Sequence, residues 1–171
     1  MHPARRFDPD NERHVDLYDE LPLWSALAGQ LLLEHVPLVA GSVLDLGCGT
    51  GFPLLELAER LGPGTSVIGL DPWHEALRRA RTKRDIWPVT GVEVVRGDGA
   101  SMPFRESSFD LVVSNLGVNN FDDVDAALAE CRRVLRLGGI FPCGSLWSQP
   151  SECSRWLPRW RAPPHPHRGR H

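Results

Sequence analysis

The stretch VLDLGCGTG, residues 43–51, constrains this chain more than any other feature. An apolar run ending in an acid, followed by three glycines at alternate positions, reads as a buried strand that breaks into a tight turn and then a helix. Glycine lets the backbone turn sharply there and lets a ligand approach without meeting a Cβ. The helix that follows aims its unpaired N–H groups at whatever binds. One glycine serves an ordinary strand-to-helix turn; Gly47, Gly49 and Gly51 together behind Asp45 imply a binding loop. The dinucleotide fingerprint G-x-G-x-x-G needs its third glycine where Phe52 stands, and no Walker lysine follows. A carboxylate at Asp45 repels a pyrophosphate but suits a ligand that carries an ammonium group. An NAD-dependent oxidoreductase is therefore an alternative that Phe52 and Asp45 both disfavour.

The flanking pattern fits a sheet that such a loop would serve. SVLDL, TSVIGLD, VEVVRGD and FDLVVSN read as strands. Helices fit LPLWSALAGQLLLEHV, LLELAERL, WHEALRRARTKR and residues 123–135, with Ala76, Leu77 and Ala80 inward on the third. A fifth strand is expected after Gly138-Gly139, across IFPCGSL, with Pro142 tolerable at a sheet edge. Strand and helix alternate with short turns, which predicts a Rossmann-like three-layer αβα sandwich with a mostly parallel sheet. In such a sheet the ligand sits beyond the carboxyl ends of the strands, where strand order reverses.

Charge and cysteines narrow the function classes. Between residues 150 and 171 five arginines face one acid, a balance of +4, so the net -3 leaves -7 on residues 1–149. A core this acidic is a poor match for nucleic acid or an anionic membrane face. No apolar run approaches the ~18 residues that span a bilayer, and the polar start does not read as a secretory signal. Cys48, Cys131, Cys143 and Cys153 form no C-x-x-C pair, which suits thiols in a reducing cytoplasm and argues against a zinc site.

The segment DLGCGTG after a hydrophobic strand resembles motif I of the class I S-adenosylmethionine-dependent methyltransferases. Asp71 ends the second strand 20 residues after Gly51, where the resemblance implies an acid on the two ribose hydroxyls, with Pro72 beside it. GDGASMPF, residues 97–104, is similar to the family's G-D-A-x-x-L-P-F, so that Asp98 is implied to meet the adenine amino group, with Gly99 at its side. FDLVVSNLGVNNF resembles the fourth-strand motif, which puts the backbone of Asn115 next to the methionine moiety. RRVLRLGG resembles the R-V-L-K-P-G-G that leads into strand five. The implied cofactor is S-adenosyl-L-methionine, its pocket made of Asp45, Gly47, Cys48, Gly49, Gly51, Asp71, Pro72, Asp98, Gly99 and Asn115.

Plainer roles stand beside these. Asp71 can simply close a strand, and Asp98 in a G-D-G turn can be turn chemistry. Trp73 and Met102 can pack on an adenine or in a core, and Cys48 reads better as a small residue than as a nucleophile. The resemblance implies transfer of a methyl group to a small-molecule acceptor by in-line displacement. The fourth-strand segment lacks N-P-P-[YF], which disfavours a base nitrogen or a glutamine amide as acceptor. No general base is identified: His14 and Tyr18 are candidates only, and a polar leader supplies such residues by chance.

Three parts are expected: an arm over residues 1–18, a methyltransferase core over 19–146, and a disordered Pro/Arg-rich tail over 147–171. The family's fold continues past strand five into a helix and a strand hairpin, and nothing after Leu146 alternates like a strand. The chain is therefore expected to be truncated, with an exposed strand-five edge open to pairing with a second copy. An inert cofactor-binding remnant is the alternative to an active enzyme.

Overall fold

A computed structural model describes residues 7–20, 23–36 and 41–144. Five parallel strands, β1 (Ser42–Leu46), β2 (Ser66–Asp71), β3 (Val92–Arg96), β4 (Phe109–Asn115) and β5 (Leu135–Ile140), lie in the order β3-β2-β1-β4-β5. The order reverses between β1 and β4, which puts the crevice for a ligand beside the end of β1. The alternation of each strand sends its residues to two separate cores. Val43, Val67, Leu111 and Val113 face Leu33, Leu54, Leu57 and Leu77 of three helices, α2 (Leu23–His35), α3 (Leu54–Leu61) and α4 (His74–Ile86). Leu44, Leu46, Leu70 and Val112 face Cys131 and Val134 of α5 (Val124–Val134) and Met102 of the loop after β3. This is the three-layer sandwich that the alternating pattern implies.

Two features depart from the expectation. Strand β5 begins at Leu135, ahead of the glycine pair rather than after it. Its register on β4 runs from Phe109↔Leu135 to Leu111↔Ile140, so residues 136–139 form a bulge in which Gly138 takes a φ of 83°. Pro142 then interrupts the strand, and the short β6 (Cys143–Gly144) resumes on Ser114 and Asn115. Proline has no N–H to donate, but its carbonyl still accepts from the Ser114 amide at 3.3 Å. The IFPCGSL strand is thus two strands, broken at proline.

The second departure is α1 (Glu12–Glu20), a helix that crosses the boundary drawn at residue 18. Asp16 and Asp19 reach Arg79, Asp19 also reaches Lys83, and Glu12 reaches Arg78. An acidic face of α1 is therefore fastened to the basic outer face of α4. The residues of the expected tail lie outside the described residues. Among the described residues no helix is long and apolar enough to cross a membrane.

Candidate active site

The backbone of the glycine loop is fixed by β2. The amides of Gly47 and Cys48 both donate to the Leu70 carbonyl, at 2.8 and 3.2 Å, so the loop folds over the end of the neighbouring strand. Gly47 has a φ of 77°, and a Cβ there would lie 2.8 Å from the Gly117 Cα, so β1 and the turn after β4 meet backbone to backbone. Gly49 also has a left-handed φ, 50°, yet a Cβ there would meet nothing within 4 Å. The left-handed backbone at Gly49 explains its glycine, and the space in front of it is open.

Two carboxylates converge behind this space. Asp71 is 6% exposed and spans the site: Oδ2 accepts from the Gly49 amide and Oδ1 from the Trp73 amide, both at 2.9 Å. It therefore closes its strand and also holds the glycine loop, and each oxygen keeps a lone pair for a further donor. Burial pushes its pKa up, and the two amides pull it back.

Asp45 is different. It is 0% exposed, and neither carboxylate oxygen has a fully formed hydrogen bond, although the Leu54 amide at the start of α3 approaches it. Burial, followed by the Asp71 charge, raises its pKa to about 8, against a small lowering from the Leu54 amide at the start of α3. A fully buried carboxyl group without a fully formed hydrogen bond is costly to keep.

The other candidate residues take varied positions. Cys48 is buried, and burial followed by Asp45 and Asp71 pushes its thiol well above the usual range, so it is no nucleophile. Gly51 donates its amide to the Cys48 carbonyl and packs on Ala80. Pro72 is exposed, with its carbonyl accepting from Arg96 Nε at 3.0 Å. Asp98 is exposed and makes turn chemistry, Oδ1 accepting from the Ala100 amide at 2.9 Å. Gly99 is buried against Leu46 and Phe121. Asn115, 7% exposed, donates Nδ2 to the Ser25 carbonyl of α2 at 2.9 Å, while its Oδ1 is buried with no partner. Met102 belongs to the core, and Trp73 stacks on Phe7 at 5.3 Å. His14 Nδ1 accepts from the Asp8 amide. Burial and then the Asp71 charge raise the Tyr18 pKa, which keeps that phenol a donor rather than a base.

Several contributors carry no sequence signal of their own. Thr50 Oγ1 donates to Asp19 Oδ1 at 2.7 Å, so α1 is tied to the glycine loop as well as to α4. A Cβ on Gly29 would lie 2.2 Å from the Phe52 ring and 2.9 Å from Asn115 Nδ2, so α2 lies hard against both. A groove of about 360 Å³ between α3 and α4, lined by residues such as Leu55, Ile86 and Trp87, shares only Gly51 with this loop and none of its carboxylates.

A family model described as a methyltransferase domain matches residues 44–143, from β1 into β6. The demethylmenaquinone methyltransferase of Lactococcus lactis is 33% identical over 136 residues, which are 80% of this chain and 53% of that protein. The chain spans about half the length of the curated relatives it matches. A solved S-adenosylmethionine-dependent methyltransferase from Mesorhizobium loti is 32% identical with a TM-score of 0.57, over 66% of this chain and 50% of that one. Another from Aquifex aeolicus, at 21% identity, has a TM-score of 0.69 over 91% and 88% of the two chains, and so speaks for the fold alone. With its sheet order, its glycine loop and a family match over more than half its residues, this chain belongs to the methyltransferase-domain family.

Proposed function

We propose that this chain binds S-adenosylmethionine and transfers its methyl group to a small molecule. The observation that carries the reading is the fully buried Asp45 carboxyl beside Asp71, the residue that holds the open glycine loop at Gly49. Of the ligands a glycine loop takes, a dinucleotide brings negative charge to that carboxylate; an amino-acid sulfonium brings an ammonium. The residues fit the group: Asp45 for the ammonium, the free lone pairs of Asp71 for the ribose hydroxyls, Asp98 Oδ2 for the adenine amino group, and the backbone at Asn115 for the methionine moiety. A hydrogen bond to a charged carboxylate is worth ~1.5–3 kcal/mol.

The bound cofactor would supply an electrophilic methyl group, and the task of the chain is to position it. Asp71 organises the site, since the same carboxylate that would bind the ribose holds the Gly49 amide. Helix α1 is latched by Asp19 to Thr50 of the glycine loop and to Arg79 and Lys83, and the segment before it sets Phe7 against Trp73, next to Asp71 and Pro72. The nucleophilic atom is the acceptor's own, attacking the methyl group in line with its bond to sulfur. The names of the curated relatives support a small-molecule acceptor, and Cys48, a buried thiol, suits a reducing compartment such as the cytoplasm.

Methyl-labelled S-adenosylmethionine, offered with demethylmenaquinone and with neutral and cationic small molecules, tests the proposal. Label in a product supports it. Retained cofactor with no label moved to any acceptor favours a chain that binds without turnover. Neither retention nor transfer sinks it.

A further inference from the structure

The RRVLRLGG segment has a second role besides ending α5. Glu130 and Arg133, one turn apart on that helix, both reach across to the loop between β3 and β4. Glu130 Oε2 accepts from the Met102 amide at 2.7 Å. Arg133 Nη2 donates to the Met102 carbonyl at 3.1 Å, and Nη1 donates to the Phe104 carbonyl at 2.7 Å. The two side chains are also paired with each other, Arg133 Nη2 lying 2.7 Å from Glu130 Oε2. Both polar groups of the Met102 backbone are thus claimed by one ion pair, while the Met102 side chain is buried in the core below. Immediately upstream, the Ser101 amide donates to the Asp98 carbonyl at 3.1 Å and the Ala100 amide to the Asp98 side chain.

The turn that carries Asp98 is therefore continuous with a backbone segment that cannot shift while the pair holds it. Loops with exposed acids and no such brace sample many orientations, and a hydrogen-bond acceptor reads a ligand only when its direction is fixed. We infer that Glu130 and Arg133 are positioning residues that aim Asp98 at the 6-amino group of a bound adenine, and so set the base specificity of the pocket without touching the ligand. The inference rests on the proposed role of Asp98, and it adds two residues of α5 that hold the loop at Met102 and Phe104, beyond the Asp98 turn. Arginine suits the geometry: its planar fork spans two carbonyls and a carboxylate at once, where the single nitrogen of a lysine reaches only some of them.

The test compares S-adenosylhomocysteine with its 6-desamino analogue, in which purine replaces adenine, by calorimetric titration. The wild-type chain is expected to prefer the amino ligand at least tenfold. Arg133→Met is expected to cut that preference below threefold, while affinity for the desamino ligand changes less than threefold because Asp45 and Asp71 hold its other end. Arg133→Lys restores part of the preference, and provides the reading should the methionine variant fail to fold. Asp123→Ala is the control for destabilised α5: it removes the helix N-cap, whose side chain accepts from the Ala126 amide, without touching the loop. It is expected to keep the full preference. A wild-type preference that Arg133→Met retains overturns the inference alone, as does its loss in Asp123→Ala. Equal binding of both ligands by the wild-type chain overturns the role of Asp98 itself, and the inference with it.

Discussion

Replacing Asp45 with asparagine tests the electrostatics of the site before any ligand is added. Burial and the neighbouring Asp71 charge push the folded carboxyl up to about 8, with the Leu54 amide pulling the other way. In the unfolded chain it returns to an ordinary value of 3.8. Between these limits the folded chain holds a proton that the unfolded chain has released, so stability falls as pH rises through the window and levels off above it. At about 1.4 kcal/mol per pH unit the gap amounts to roughly 5–6 kcal/mol in full, of which about 4 kcal/mol is already expressed at pH 7. Urea unfolding of the wild-type chain at pH 5 and pH 8 should differ by roughly 3–4 kcal/mol from this group alone. Asp71, also raised by burial, adds to the same slope and remains in the variant. Asp45→Asn removes the larger share, so its stability changes much less over the same range. The asparagine amide is itself buried without a partner, at a cost of ~1–3 kcal/mol, but that cost does not vary with pH. Equal slopes in the two proteins would refute the reasoning, whatever their absolute stabilities.

Other predictions follow from neighbouring contacts. Binding of S-adenosylhomocysteine at pH 7 should release part of a proton from Asp45 as the ammonium arrives, seen as a binding enthalpy that differs between phosphate and Tris buffers; identical enthalpies count against the pairing. Asp71→Ala should weaken cofactor binding by at least ~1.5 kcal/mol, about tenfold in a titration, because it removes the ribose acceptor and frees the Gly49 amide. Asp19→Ala should unlatch α1 from Thr50, Arg79 and Lys83, giving faster proteolysis between residues 7 and 20 with little change in the unfolding of the sheet. Gly29→Ala should cost ~1–3 kcal/mol in thermal unfolding, since the new methyl group meets the Phe52 ring at 2.2 Å.

Much of this is visible in the chain before it is folded, and the limits have physical causes. The strands and the helices α3 and α4 are legible because burial on both faces of a parallel sheet writes continuous apolar runs and clear helical spacing. The glycine loop is legible because three positions of unusual backbone demand the same residue. Helix α1 escapes notice because what fastens it is Glu12 on Arg78 and Asp19 on Lys83, pairs more than 60 residues apart that leave no local pattern. Strand β5 is misplaced because Gly138-Gly139 looks like a stop, when it is a bulge inside a strand whose start at Leu135 is decided by pairing with Phe109. Asp45 is legible as an acid suited to an ammonium, but its complete burial beside Asp71 appears only once the strands on either side are in place. Glu130 and Arg133 sit in a helix of ordinary appearance, and only the path of the loop after β3 gives them a task.

Calorimetric titration of the chain with S-adenosylhomocysteine, with NAD as the control, tests the central claim most directly. The account predicts saturable micromolar binding of S-adenosylhomocysteine and no heat from NAD. Binding of NAD, or of neither ligand by a chain shown to be folded, would contradict it.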